Sequence, residues 1–211
     1  YLNYGMLSNV NREGQIAGSR VDVAPFKKDP ADFVLWKPSN ENQPGWESPW
    51  GFGRPGWHTE CSAMSKKTLG LPFDIHGGGK DLTFPHHENE IAQSCCSSGD
   101  IENPNSYANY WMHNGFVTIN GEKMSKSLGN IILVKDLSEK YHGEVIRLAL
   151  LSSHYRQGLD WNDQVAHQAK KLLDKLYKIL EDLSDIKNKE LKSISPDFIS
   201  SLMDDLNTPG F

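Results

Sequence analysis

The sequence predicts a layered α/β domain that passes into a helical segment near residue 160. Three observations carry this reading. Between Thr59 and Ile119, stretches of helical and strand character alternate, the succession that layered α/β folds require. After Leu137 the apolar residues recur at helical spacing, with charges between them. The longest purely apolar runs, Ile131 to Val134 and Leu148 to Leu151, fall far short of the roughly 18 residues that a spanning helix needs, so no membrane partner is expected.

In chain order, the stretch from Trp36 to Trp57 carries four of the six tryptophans, interleaved with Pro38, Pro44, Pro49, Pro55 and several glycines, which breaks long helices and strands. It reads either as an aromatic-packed surface loop or as a binding loop stiffened by proline. Thr59 to Leu69 reads as a helix ended by Gly70. Phe73 to His76 reads as a short strand that runs into a glycine loop, Gly77-Gly78-Gly79. Pro85 sits where a first-turn proline would open the next helix, through about Cys96. Phe116 to Ile119 alternates as a strand before the turn Asn120-Gly121. Val145, Leu148, Ala149 and Leu151 have helical spacing, and Val165 to Leu183 makes a long amphipathic helix. Residues 184 to 196 read as a polar connector, and Asp197 to Leu206 as a further helix.

Composition narrows the function classes. With 22 Lys+Arg against 27 Asp+Glu and a net charge of -5, the chain is no dedicated electrostatic nucleic-acid binder, although local contact with RNA stays open. Three cysteines, Cys61, Cys95 and Cys96, supply no disulfide framework, and Cys95 and Cys96 read as packing residues. With no secretory pattern either, a reducing cytoplasm is the expected compartment. The sequence opens on Tyr1 rather than Met and reads as a fragment of a longer chain.

Three features carry chemistry. His86 and Glu90 are four apart, so on a helix both leave the same face; with Cys61 they make a thiolate, imidazole and carboxylate set suited to zinc. The bland alternative makes His86 a cap, Glu90 solvated and Cys61 a small core residue, while His87 and His58 compete as ligands. The second feature, Gly77-Gly78-Gly79-Lys80-Asp81, follows a strand; it would let a ligand approach the backbone, with a carboxylate just beyond to accept from ribose hydroxyls. It matches neither the dinucleotide fingerprint nor the P-loop. Third, Lys123-Met124-Ser125-Lys126-Ser127, closed by Gly129, places two ammonium groups three residues apart in a short loop that can meet a polyphosphate.

The last string resembles the second signature of the class I aminoacyl-tRNA synthetases. Gly53 to Met64, Asp74 to Gly79, Phe84 to Gln93, Tyr110 to His113 and Asp204 to Pro209 narrow the resemblance to the cysteinyl-tRNA synthetase family. This implies the C-terminal half of a Rossmann-like catalytic domain over residues 1-160, followed by the start of a helical tRNA-binding bundle over 161-211. The family's first signature, H-I-G-H, is absent from the sequence, as is most of the anticodon-reading region. The resemblance further implies ATP-dependent activation of cysteine and its transfer to the tRNA for cysteine. One zinc would be held by Cys61, His86 and Glu90 with a fourth ligand outside this sequence. Trp57 and His76 would line the cysteine pocket, Asp81 and Gly78 would meet ATP, and Lys126 with Lys123 would stabilise its phosphates, Mg2+ accompanying the nucleotide. A monomer is expected, inactive without its other half. Two alternatives remain: a mycothiol-pathway cysteine ligase using the same adenylate chemistry, and a non-catalytic zinc- or tRNA-binding fragment.

Overall fold

Prolines and glycines do not prevent a hairpin in the tryptophan-rich stretch. In the computed structural model, which describes residues 1–10, 27–29, 32–185 and 193–210, β1 (Trp36–Pro38) pairs antiparallel with β2 (Gly53–Pro55). The long connection is pinned from inside: Gly51 O accepts from Trp36 Nε1 at 3.3 Å and from Ser48 Oγ at 2.6 Å. Trp50 stays exposed. The loop expected over the whole stretch is therefore confined to residues 39–52, because three-residue strands at its two ends pair although they include Pro38, Gly53 and Pro55.

The chain folds as two compact units, Tyr1–Met112 and His113–Phe211. In the first, α1 (Trp57–Leu69) ends where expected, with Gly70 at φ 78° donating its N–H to Lys66 O. Next comes β3 (Phe73–Gly79), which absorbs the three glycines expected in a loop. Pro85 does not open the following helix. Its peptide bond to Phe84 is cis and Phe84 is extended, at φ -138° and ψ 134°, as residues before proline tend to be. Thr83–His87 instead forms a wide π-type turn, and α2 (Glu88–Ser98) starts three residues after the proline. β4 (Ala108–Asn114) pairs with β3. Phe73, Ile91, Cys95, Tyr107 and Ala108 form the buried core of this unit. Cys95 packs there as expected, whereas Cys96 is exposed because the next position on a helix faces elsewhere.

Residues 1–10 are tied down by one side chain. Glu88, fully buried in the first turn of α2, accepts from Gly5 N at 2.8 Å, from Ser8 N at 3.1 Å and from Ser8 Oγ at 3.0 Å. The Tyr4 hydroxyl donates to the neighbouring Asn89 Oδ1.

In the second unit, β5 (Val117–Ile119) turns through Asn120 and Gly121, both at positive φ, into β6 (Glu122–Lys123), the two-residue hairpin that the Asn-Gly pair predicts. β5 also pairs in parallel with β7 (Leu159–Trp161), giving the order β6-β5-β7. The helical pattern expected from Leu137 resolves into α3 (Val134–Lys140) and α4 (Gly143–Leu151). The long helix is α5 (Asp163–Asp182), opened by Asn162, whose side chain accepts from Val165 N at 3.0 Å. Ala149 of α4 and Ala166 of α5, both fully buried, share a core with Val145, Ile146, Trp161 and Ala169. Packing thus runs through residue 160 without a break, and the compact units divide at Met112 instead. Residues 186–192 of the expected connector lie outside the described residues. α6 (Pro196–Met203) follows.

Beyond α6, Asp205 and Leu206 both adopt positive φ. Asp205 holds this conformation through Arg156, whose Nε donates to one oxygen and whose Nη2 donates to the other at 3.1 Å, and through the Tyr155 hydroxyl at 2.7 Å. The Arg156 hydrogen bonds, then the one from Tyr155, bring the Asp205 carboxyl down to about 2. A depressed carboxylate contributes stability that is complete above its unfolded value and is lost as pH falls through the folded one. The clasp should therefore persist through pH 4 and open only near pH 2, and Arg156→Ala should return Asp205 toward an ordinary carboxylate value. Carboxyl-carbon NMR titration checks this; an Asp205 midpoint that Arg156→Ala leaves unmoved counts against the clasp.

Candidate metal centre and lysine loop

Three elements of the first unit converge on Glu90. α1 contributes Trp57, His58 and Cys61 from its first turns, β3 contributes His76, and the wide turn before α2 contributes His86 and His87. The turn runs into α2 without a gap, so His86 and Glu90 keep their i,i+4 relation although the helix begins later than expected. His86 Nε2 lies 2.7 Å from Glu90 Oε1, and His76 Nε2 lies 2.8 Å from Oε2. The Tyr107 hydroxyl donates to Oε2 at 3.0 Å. Glu90 is 1% exposed.

Electrostatics keep this carboxylate charged. Burial pushes the Glu90 carboxyl up, yet the hydrogen bond and charge of His76, the charge of His86 and the Tyr107 hydrogen bond together bring it below the usual carboxylate range. Burial also pushes the Cys61 thiol up, and the Glu90 and Glu60 carboxylates add to that. His58 is pushed down by burial and by His86, so it is neutral at pH 7; its Nδ1 lies 3.0 Å from His86 Nδ1, with one nitrogen donating to the other. Trp57 is 77% exposed and stacks on His58 with an interplanar angle of 10°. It also meets the His86 ring edge-on, at a centroid distance of 5.8 Å.

Two overlapping groups have ligating atoms within 4.8 Å of one another: Cys61, His86 and Glu90, and His76, His87 and Glu90. Donors around a tetrahedral zinc ion, at about 2.0 to 2.3 Å from it, sit a little over 3 Å apart, so the first group is near enough to share such an ion after small side-chain shifts, and its sulfur, nitrogen and oxygen donors suit zinc. The thiol adds a chemical argument: raised by burial and by two carboxylates, it is held as thiolate here only beside a cation.

The residues assigned to the nucleotide divide between the units. Gly78 lies close to other side chains: a Cβ there would sit 3.0 Å from His87 Cε1 and 3.1 Å from Leu82 Cδ1, so glycine lets the imidazole approach the strand. Asp81 is exposed at the end of β3, in a short 3-10 turn, Lys80–Leu82. Lys123 ends β6 with its ammonium 5.8 Å from the centre of the Phe116 ring, and both Lys123 and Lys126 are exposed. Sequence reading missed Tyr107 and the role of Asn130. The latter spans the lysine loop, accepting from Ser125 N at 2.8 Å and donating to Lys123 O at 3.1 Å, while Gly129 turns the chain at φ 64°.

Residues 1–171 match a family model described as the tRNA synthetases class I (C) catalytic domain. The chain belongs to this family. Among relatives of this class I (C) domain, the chain is 59% identical over 210 residues to a cysteine–tRNA ligase of Parvibaculum lavamentivorans, covering 99% of this chain and 44% of that protein. It is 58% identical over 209 residues to one of Caulobacter vibrioides, with the same coverage of 99% and 44%. The chain thus spans less than half the length of these relatives. A LeuRS of Agrobacterium radiobacter, solved in a ternary complex with tRNA and LeuAMS, shares the fold with a TM-score of 0.56 at 15% identity, over 78% of this chain and 27% of that one. No helix among the described residues is long and apolar enough to cross a membrane.

The Asn130 bridge generates a prediction. Its two hydrogen bonds tie both ends of the lysine loop, and losing them should favour local opening by about 1 to 2 kcal/mol. Asn130→Ala should accordingly raise the rate of tryptic cleavage after Lys126 roughly tenfold under native conditions. Equal cleavage rates in the two proteins would show that the loop is held by something else.

Proposed function

We propose that the chain is part of a cysteine–tRNA ligase that activates cysteine with ATP and passes the cysteinyl group to the tRNA for cysteine. The observation that carries the reading is the thiol, imidazole and carboxylate cluster of Cys61, His86 and Glu90 in a class I (C) catalytic domain. The relatives named cysteine–tRNA ligase support the same substrate. These three side chains would hold zinc, leaving a coordination position for substrate beside a fourth donor from outside this sequence. When bound, the ion supplies a thiolate-selective ligand position, which serine's hydroxyl fills poorly. A cavity that sensed size alone would separate cysteine from serine weakly, because the two differ by a single atom.

The remaining roles belong to the chain's own groups. Trp57 would wall the substrate side chain, and His76, beside the Glu90 carboxylate, would sit at its base. In activation, a carboxylate oxygen of cysteine attacks the α-phosphorus of ATP and pyrophosphate leaves; the terminal ribose hydroxyl of the tRNA then takes the cysteinyl group and AMP leaves. Asp81 and Gly78 would meet the nucleoside, and Mg2+ would accompany the phosphates. Lys126 and Lys123 would place their charge on the departing pyrophosphate. Residues 161-211 would begin the tRNA-binding bundle. A cytoplasmic monomer fits this reading, with activity requiring the rest of the protein.

Two measurements test it in the full-length protein. Elemental analysis should find one zinc per chain in the parent and strongly reduced zinc in Cys61→Ala, His86→Ala and Glu90→Ala. Full occupancy in all three variants would remove these residues as ligands. Pyrophosphate exchange should be slower by on the order of a hundredfold in Lys126→Ala, about 3 kcal/mol, with cysteine affinity nearly unchanged, as expected of a contact made mainly in the transition state. An unchanged rate with weakened cysteine binding would contradict the assignment.

A further inference from the structure

We propose that Tyr107 is a positioning residue of the metal centre: its hydroxyl holds one oxygen of Glu90 so that the other is left for the ion. This rests on the reading that Cys61, His86 and Glu90 are the ligands.

The two carboxylate oxygens keep different company. Oε1 faces His86 Nε2 at 2.7 Å, on the side of the ligand group. Oε2 accepts from the Tyr107 hydroxyl at 3.0 Å and lies 2.8 Å from His76 Nε2. An oxygen engaged by two donors is a poor candidate for a further bond to a cation. The second group of potential ligands, His76, His87 and Glu90, would draw on this carboxylate in competition with Tyr107. It reads as the outer support of one centre rather than as a second centre.

Tyr107 is suited to fixing an atom in place. It is fully buried, immediately ahead of β4, and its carbonyl accepts from Phe73 N at 3.2 Å. Its ring packs edge-on against Phe73, with centroids 5.0 Å apart, and lies 5.4 Å from the His76 ring and 6.0 Å from that of Trp111. Ser65 Oγ, 3.3 Å from the phenol oxygen, is a second and weaker neighbour. The carboxylate is thereby oriented before any ion arrives. Outer supports of this kind are typically worth about ten- to a hundredfold in metal affinity.

The test measures zinc affinity by chelator competition and the cobalt(II) absorption spectrum in the full-length protein, for the parent, Tyr107→Phe, Ser65→Ala, His76→Gln and His86→Gln. Tyr107→Phe keeps the ring and removes only the hydroxyl. It should still bind one ion at saturation, about ten- to a hundredfold more weakly, with an altered cobalt spectrum. Ser65→Ala should change affinity by less than about threefold, because this 3.3 Å hydrogen bond is long and does not touch Glu90. His76→Gln retains an N–H for Oε2 and should lose much less affinity than His86→Gln, which removes a ligand. Parent-like affinity and spectrum in Tyr107→Phe would overturn the proposal while leaving the ligand assignment intact. Two ions per chain, or equal losses in His76→Gln and His86→Gln, would also overturn it by making Oε2 and His76 part of the first coordination sphere. A parent that binds no zinc would sink the ligand reading itself. If Tyr107→Phe fails to fold, the comparison of His76→Gln with His86→Gln decides alone.

Discussion

The buried carboxylate of Glu90 is the constraint on which the first unit depends. Removing a charge from water is costly, and the cost is offset only when hydrogen-bonding partners are already in place. Here they come from separate parts of the chain: His76 from β3, His86 from the turn before α2, and Tyr107 from the edge of β4. One side chain therefore ties strand, turn and helix together more specifically than apolar contact could. The position near the start of α2 helps, because the unpaired N–H groups of a helix N-terminus favour negative charge. Glu88, two residues earlier, applies the same device outward and fastens residues 5 to 8 through Gly5 and Ser8.

The lysine loop is built on the opposite principle. Lys123 and Lys126 are exposed, and the loop is held by a few local hydrogen bonds, from Asn130 across its ends and from Leu128 N to Ser125 Oγ, rather than by burial. Few buried contacts and a short tether describe a segment that opens at low cost. A group whose interactions strengthen only as charge develops gains nothing from a rigid ground-state position. Substrate selection favours the reverse, a site whose donors are fixed beforehand. The two designs occur in different units of the chain, and each suits the step proposed for it.

Much of this was legible in the sequence wherever the determinant is local. The His86 and Glu90 spacing, the Asn120-Gly121 turn, the stop at Gly70 and the long amphipathic helix each depend on residues within one or two turns of one another, and each is present. Where the determinant lies far along the chain, local reading failed. The His87 ring that packs against Gly78 could not be read from the glycine run, because the turn before α2 brings it there. Tyr107 gave no local signal because its partner lies seventeen residues away across the fold. Pro85 misled for a different reason: its position fits a helix start, yet the extended Phe84 before it delays the helix to Glu88.

Charge balance joins the carboxylate to the chemistry. Glu90 is held ionised by three partners, of which Tyr107 brings no positive charge. Cys61, close by, is pushed by burial and by Glu90 toward the neutral thiol. His58, next to His86, is pushed toward its neutral form by burial. Without a further cation the cluster thus holds one carboxylate and resists a second negative charge. With a divalent cation the same residues would supply a thiolate and a carboxylate to balance it, Cys61 giving up its proton. The carboxylate that makes the thiol reluctant to ionise alone would thereby make the centre receptive to a doubly charged ion, and under the proposed arrangement the donors on Oε2 would reserve the other oxygen for it.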